Sequence, residues 1–208
     1  MLKVVDARRA PPAAAAPAGF TLVELLVTLA VLALLLVAAV PGFGVWMANA
    51  SVRTTAEELQ NALRLAQAEA VRRNRQVALV LTNATPALFA APVANGQNWY
   101  VRALPIVANE AVNDRFFVTG GTFASARQVA INAPALICFN SLGRLAVNNA
   151  TGLGVNCVLP AGAAQVDIDI AHAGANRNLR VQVFPGGRLR LCDPDPAKVL
   201  PAAPDACQ

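Results

Sequence analysis

From Leu25 to Val52 the chain carries no charged residue. Such a run is long enough to cross a hydrocarbon core, which takes roughly 20 apolar residues of helix. Pro41-Gly42 interrupts it and predicts a kink. Beyond the interruption the pattern changes. Val52, Ala56, Leu59, Leu63, Ala66 and Ala70 step by four and three residues, the stripe of an amphipathic helix, while Glu57, Glu58, Arg64, Glu69, Arg72 and Arg73 take the other faces. Asn74 suits a helix stop, because asparagine tolerates left-handed backbone. After it the chain breaks into short β-rich segments separated by Gly, Asn and Pro clusters: 76–81, 99–104, 116–118, 128–131, 135–139, 144–147, 166–170, 179–184 and 188–192. One long helix followed by many short strands predicts an α+β chain. Its N-terminal helix, membrane-spanning in the first half and amphipathic in the second, packs on a small antiparallel β-sandwich. The stretch 81–98 reads as loop and has no role assignable from sequence.

One carboxylate stands at the head of the apolar run, in Gly19-Phe20-Thr21-Leu22-Val23-Glu24. An ionisable group there is costly in lipid unless a cation joins it, so it marks a functional position. Lys3, Arg8 and Arg9 precede the span, which sets the N-terminus in the cytoplasm and the remainder in the periplasm. Two plainer readings stay open. One is a secretory signal peptide, with Ala48-Asn49-Ala50 as its small-residue cleavage site, although the run is long for that purpose and carries Glu24 near its start. The other is an ordinary anchor that nothing processes.

The Gly19 to Glu24 pattern resembles the class III signal of type IV pilins and pseudopilins. The resemblance implies that a prepilin peptidase cuts between Gly19 and Phe20 and methylates Phe20. It also implies that Glu24, then the fifth residue, meets the N-terminal amine of a neighbouring subunit during filament assembly. Proline recurs at the position of Pro41 in type IV pilins. The segment Leu63–Leu79 is similar to the helix end of the GspH/FimT group: Ala66, Glu69, Ala70, Val71, Arg73 and Asn74 match its motif. Gln67 stands where that group usually has arginine, and Ala68 where it has a small polar residue. Phe139-Asn140-Ser141-Leu142-Gly143-Arg144 resembles a strand–turn–strand segment of the same group. The implied organisation is a leader over 1–19, a transmembrane helix over 20–46, an amphipathic helix over 47–75 and a periplasmic β-rich domain over 76–208. The implied partners are other pilins or pseudopilins through the N-terminal helix, the prepilin peptidase, and the inner membrane before assembly into a surface filament.

The net charge of +5 includes three leader cations and one leader anion, so the excess is modest and does not by itself argue for nucleic acid. Lys3 and Lys198 are the only lysines. The cysteines, Cys138, Cys157, Cys192 and Cys207, all follow the apolar run, and an even count in an oxidising compartment predicts disulfides. Three pairings are possible. Cys138–Cys157 with Cys192–Cys207 is preferred because each closes a short Gly/Pro/Asn-rich loop. No cofactor or metal is expected: His172 is the only histidine, and no C-x-x-C, P-loop or H-E-x-x-H occurs. No set of residues suited to catalysis is present, so the chain reads as a non-enzyme. Asp167 and Asp169 alternate on one strand face and read as solvated.

The remaining chemistry lies near the C-terminus. A hairpin with the three-residue loop Pro185-Gly186-Gly187 pairs Phe184 with Arg188, Val183 with Leu189, Gln182 with Arg190 and Val181 with Leu191. That register places Val181, Val183, Leu189 and Leu191 on one face, and Arg180, Gln182, Phe184, Arg188 and Arg190 on the other. A two-residue loop would scramble both faces. Arg177 lies just upstream. Guanidinium groups suit phosphates and an exposed ring can stack on a base, whereas a solvated face with arginines paired to Asp193, Asp195 or bulk ions is the plainer reading. Gly187-Arg188-Leu189-Arg190 resembles the Gly-Arg-x-Arg motif of FimT-type minor pilins, which implies non-specific DNA binding for natural transformation. With Arg177, Arg180 and Phe184, which the register and position place beside that motif, Gly187, Arg188 and Arg190 form the candidate DNA site. The alternative is a structural GspH-like pseudopilin of a type II secretion system, in which the face needs no DNA affinity.

Overall fold

The computed structural model describes residues 19–107, 110–125, 128–157, 159, 165–199 and 203–207, so the expectations for Lys3, Arg8, Arg9 and the rest of the leader before Gly19 lie outside the described residues. The chain divides into two compact units, Met1–Pro41 and Gly42–Gln208, and the helix α1, Leu22–Arg73, runs through the boundary. That boundary falls at Pro41-Gly42, where the apolar pattern breaks.

In the first unit, the Glu24 N–H donates to Thr21 Oγ1 at 3.2 Å. Thr21 thereby satisfies one of the orphan donors at the helix start, as serine and threonine caps do. Every large apolar side chain described here is exposed, from Phe20 at 83% to Val31 at 50%. Taken separately, Leu22–Val37 and Gly42–Arg73 are not each long and apolar enough to cross a membrane, whereas as a pair they meet both conditions.

The second unit is built on the predicted stripe. Val52, Ala56, Leu59, Leu63, Ala66 and Ala70 are all fully buried. Complete burial of a leucine side chain stabilises by about 1.5–3 kcal/mol. Thr55 and Ala62 are buried too, so the contact face is wider than the six-residue seam. The helix ends where its chemistry predicts. Asn74 adopts φ +49°, and the Arg75 N–H donates back to the Ala70 carbonyl, closing the left-handed cap.

Nine strands follow among the described residues: β1 Val77–Thr82, β2 Asn98–Ala103, β3 Phe117–Thr122, β4 Ala130–Asn132, β5 Leu136–Phe139, β6 Leu145–Ala146, β7 Val166–Ala171, β8 Leu179–Val183 and β9 Leu189–Cys192. Each falls on one of the predicted segments. β3 runs further than expected, through Gly120 and Gly121, after a 3-10 turn over Asp114–Phe116. All pairings are antiparallel. One sheet has the order β3-β2-β1-β5-β6 and the other β4-β7-β8-β9. The inner faces of both sheets and the buried stripe of α1 share one core.

A smaller cluster (Ala78, Val80, Tyr100, Leu104, Leu136, Cys138 and Cys157) lies on the other face of the five-stranded sheet. Part of its cover is the segment that the sequence left without a role. Tyr100 Oη donates to the Ala90 carbonyl at 2.6 Å, and Arg102 Nη1 donates to the Leu88 carbonyl at 3.0 Å. Arg102 is wholly buried with no carboxylate partner among the described residues, and desolvation lowers its pKa from the usual guanidinium value. This arginine holds a loop in place.

Candidate nucleic-acid interface

The hairpin forms with the predicted register: Val181 opposite Leu191, Gln182 opposite Arg190, and Val183 opposite Leu189. The Phe184 N–H donates to the Arg188 carbonyl at 3.0 Å, and the Gly187 N–H to the Phe184 carbonyl at 2.8 Å. Gly187 sits at φ +88°, the left-handed residue that closes a three-residue hairpin loop. Strand alternation then sorts the side chains. Val181 and Val183 are fully buried, Leu189 and Leu191 pack on the core, and the arginines project from the opposite face.

That outer face differs from the free arginine surface the pattern suggests. Arg180 reaches across to β7 and donates to Asp169 at 2.6 Å and to Asp167 at 3.3 Å. The two aspartates are therefore ion-pair partners instead of a merely solvated face. Gln182, expected on the outer face, is buried, and its amide donates to Asp167 Oδ1. Arg177 pairs with Asp193 at 3.0 Å and Asp205 at 3.1 Å. Asp195, the other acid considered for this face, pairs with Lys198. The hydrogen bonds to Asp193 and then Asp205 raise the pKa of Arg177, and the bond to Asp169 raises that of Arg180. Arg190 donates from Nη2 to the carbonyls of Pro204 and Ala206 at 3.0 and 2.8 Å. Arg188 is exposed, with its guanidinium 4.2 Å above the Phe184 ring. The ion pairs thus set Arg177 and Arg180 against four aspartates, while Arg188 and Arg190 keep their charge without a carboxylate partner among the described residues.

The C-terminal tail is fastened beside β9. Cys192 is bonded to Cys207, and Cys138 to Cys157. Asp193 bridges Ala206 in parallel, and its N–H donates to the Asp205 carbonyl at 2.7 Å. The other end of the hairpin is held by the helix. Gln67 Nε2 donates to the Gly143 carbonyl at 3.1 Å and to the Gly187 carbonyl at 2.5 Å. Gln67, one of the two residues that depart from the GspH/FimT helix motif, thus ties α1 to the β5–β6 turn and the β8–β9 loop. Sequence reasoning flagged the departure and did not foresee this role. Its partners lie 76 and 120 residues away.

At the end of α1, Glu69 accepts from Arg72 at 2.7 Å and from Arg73 at 2.7 Å. The Arg72 hydrogen bond, opposed by desolvation and reinforced by Arg73, pulls the Glu69 carboxyl from 4.5 down to about 2. A carboxylate whose folded pKa is depressed stabilises the fold above its unfolded pKa, and that contribution is lost as pH falls through the folded value. The stability gap between the native chain and Glu69→Gln should therefore shrink as pH falls from 4.5 to about 2. At neutral pH the shift corresponds to at most about 3 kcal/mol, reduced by solvent screening because Arg72 is largely exposed. Thermal unfolding of both proteins across that window tests the linkage, and a gap that stays constant would refute it.

At the N-terminal end, Gly19 and Phe20 lie in exposed non-helical backbone just ahead of α1. The Glu24 carboxylate has no partner among the described residues. A glycine just ahead of the helix, a carboxylate at the head of an exposed apolar helix, and a β-domain packed on the helix's second half together define a pilin-like protein. Residues 16–40 match the prokaryotic N-terminal methylation motif, and residues 55–187 match the family described as type II transport protein GspH. That match covers well over half of the sequence, and the chain belongs to the GspH family. Membership implies processing by a prepilin peptidase, anchoring in a membrane and assembly with other pilin-like subunits.

Solved structures of similar shape include the type IV minor pilin FimU of Pseudomonas aeruginosa, with TM-score 0.45 and 14% identity over 69% of this chain and 97% of that one. The minor pseudopilin EpsH of the Vibrio cholerae type 2 secretion system gives 0.42 and 15%, over 69% and 98%. GspH of E. coli gives 0.39 and 14%, over 70% and 90%. No curated protein matches the sequence.

Proposed function

We propose that the chain is a minor subunit of a type IV pilus that binds DNA without sequence preference during natural transformation. It is cut after Gly19, methylated on Phe20, and docked into the filament through Glu24. Before assembly it crosses the inner membrane once, N-terminus inside and β-domain in the periplasm. The observation that carries the DNA reading is the state of Arg188 and Arg190: neither has a carboxylate partner among the described residues, and Arg188 lies exposed over the Phe184 ring. The Gly187-Arg188-Leu189-Arg190 motif supports the same reading. A specific observation favours a second one. The ion pairs of Arg177 and Arg180 with four aspartates leave Arg188 and Arg190 as the site arginines without a carboxylate partner among the described residues, and a face so largely neutralised suits a structural pseudopilin of a type II secretion system.

A fluorescence-anisotropy titration of the full chain in nonionic detergent, with a labelled DNA duplex across a salt series, separates the two. The DNA reading expects binding in the micromolar range or weaker at physiological salt, falling steeply as salt rises. Arg188→Gln with Arg190→Gln should flatten the log–log salt slope by roughly 2. Absence of binding at low salt refutes the DNA reading. Impaired exoprotein release with normal DNA uptake on deletion of the protein then identifies the secretion role.

A further inference from the structure

The unpaired positive charge of the β-domain extends beyond the face that the hairpin register singles out. Among the described residues five arginines outside the core lack a carboxylate partner: Arg64, Arg115, Arg144, Arg188 and Arg190. Four of these belong to elements that meet at one corner, where the edges of the two sheets come together against α1. The Leu145 N–H donates to the Pro185 carbonyl at 3.2 Å, joining the β6 edge to the β8–β9 loop. Gln67 bonds both Gly143 and Gly187. Arg144 follows Gly143, Arg188 follows Gly187, and Arg64 stands one helical turn before Gln67, where side chains three apart are neighbours. Leu145 and Leu189 pack on the core, so alternation turns Arg144, Arg188 and Arg190 outward. Arg64, Arg144 and Arg188 are all exposed. The sequence around them offers no neutralising acid. Gln60, Asn61, Gln67 and Ala68 flank Arg64 on the helix, and Asn140 to Gly143 precede Arg144.

We propose that the DNA-contacting surface is this corner, formed by Arg64 of α1, Arg144 of the β5–β6 turn, and Arg188 and Arg190 of β9 and its loop, with Phe184 as the ring beneath Arg188. The assignment rests on the DNA reading above and changes its location: Arg177 and Arg180 are bound to aspartates and lie outside the contact. Arginines spaced over three elements suit a phosphodiester backbone, whose charges recur along its length, better than a single small anion. Such a surface holds DNA by its phosphates, so binding is insensitive to sequence and weak at high salt.

The test uses the full chain in nonionic detergent and the same labelled duplex across a salt series. Arg64→Gln with Arg144→Gln should flatten the log–log slope by roughly 2, as much as Arg188→Gln with Arg190→Gln. Arg72→Gln with Arg115→Gln, two exposed arginines associated with the far end of α1, should leave the slope unchanged. Melting temperatures of the Arg64/Arg144 variant should equal the native value, since neither side chain has a partner among the described residues. An intact slope in that variant, alongside loss in the Arg188/Arg190 variant, confines the contact to the hairpin and overturns the corner assignment alone. Equal loss in the Arg72/Arg115 variant overturns it in favour of diffuse attraction. No binding by the native chain overturns the DNA reading and the assignment together.

Discussion

Glu24→Ala should leave the protein in the membrane and remove most of it from filaments. The apolar residues from Phe20 to Val37 are all exposed, and Glu24 is the one charge among them. A carboxylate near a helix centre in lipid costs about 2.5–3.5 kcal/mol on insertion scales, less near the end. Alanine therefore inserts at least as well. What the variant loses is the partner for an incoming cation. In the pilin resemblance that cation is the methylated N-terminal amine of the adjacent subunit, and pairing in lipid offsets the desolvation of both charges. Thr21 caps the helix at the Glu24 N–H, so the backbone bond survives the substitution. Membrane fractionation should show normal levels, while sheared filaments, probed with an antibody to the β-domain, should hold several-fold less protein. Native levels in filaments would reject the assembly role of Glu24.

The second large effect is structural. Gly187→Ala should destabilise the β-domain by about 3 kcal/mol, in the range expected when strain at a special backbone angle combines with overpacking. A Cβ at Gly187 would overlap the Gly143 carbonyl oxygen, and φ +88° is a conformation that L side chains rarely adopt. Relief requires the β5–β6 turn and the hairpin loop to move apart, which breaks the two Gln67 hydrogen bonds. A domain of this size should lose roughly 6–12 °C in Tm. Gly186→Ala is the control: a Cβ there meets nothing within 4 Å and its φ is unremarkable, so its change should be small. Comparable losses in the two variants would show that the loop needs glycine for general flexibility and that the contact with Gly143 is immaterial. Gly187 therefore serves the fold, seating the hairpin loop against the β5–β6 turn.

Much of this architecture follows from local pattern. The stripe from Val52 to Ala70 is buried because its spacing matches the helical period, and Asn74 ends the helix because its side chain tolerates the left-handed cap. The nine strands appear where β-rich runs sit between turn residues. The hairpin register follows from loop length, since only a three-residue loop puts Val181, Val183, Leu189 and Leu191 on one side. The Gly19 to Glu24 signature is equally local, being six consecutive residues at the head of an apolar run. The fate of the arginines is not local. Arg180 is neutralised by acids 11 and 13 residues away, and Arg177 by acids 16 and 28 residues away, through strand pairing and the folded-back tail. Gln182 alternates to the outer face as its period requires, yet neighbouring strands bury it. Gln67 reaches two carbonyls that only the meeting of both sheet edges brings within reach. Periodicity determined which face each side chain takes, because a backbone repeat acts over a few residues. Tertiary structure alone decided which charges remain free, because a charge is satisfied by whatever stands within a few ångströms of it, however distant in sequence.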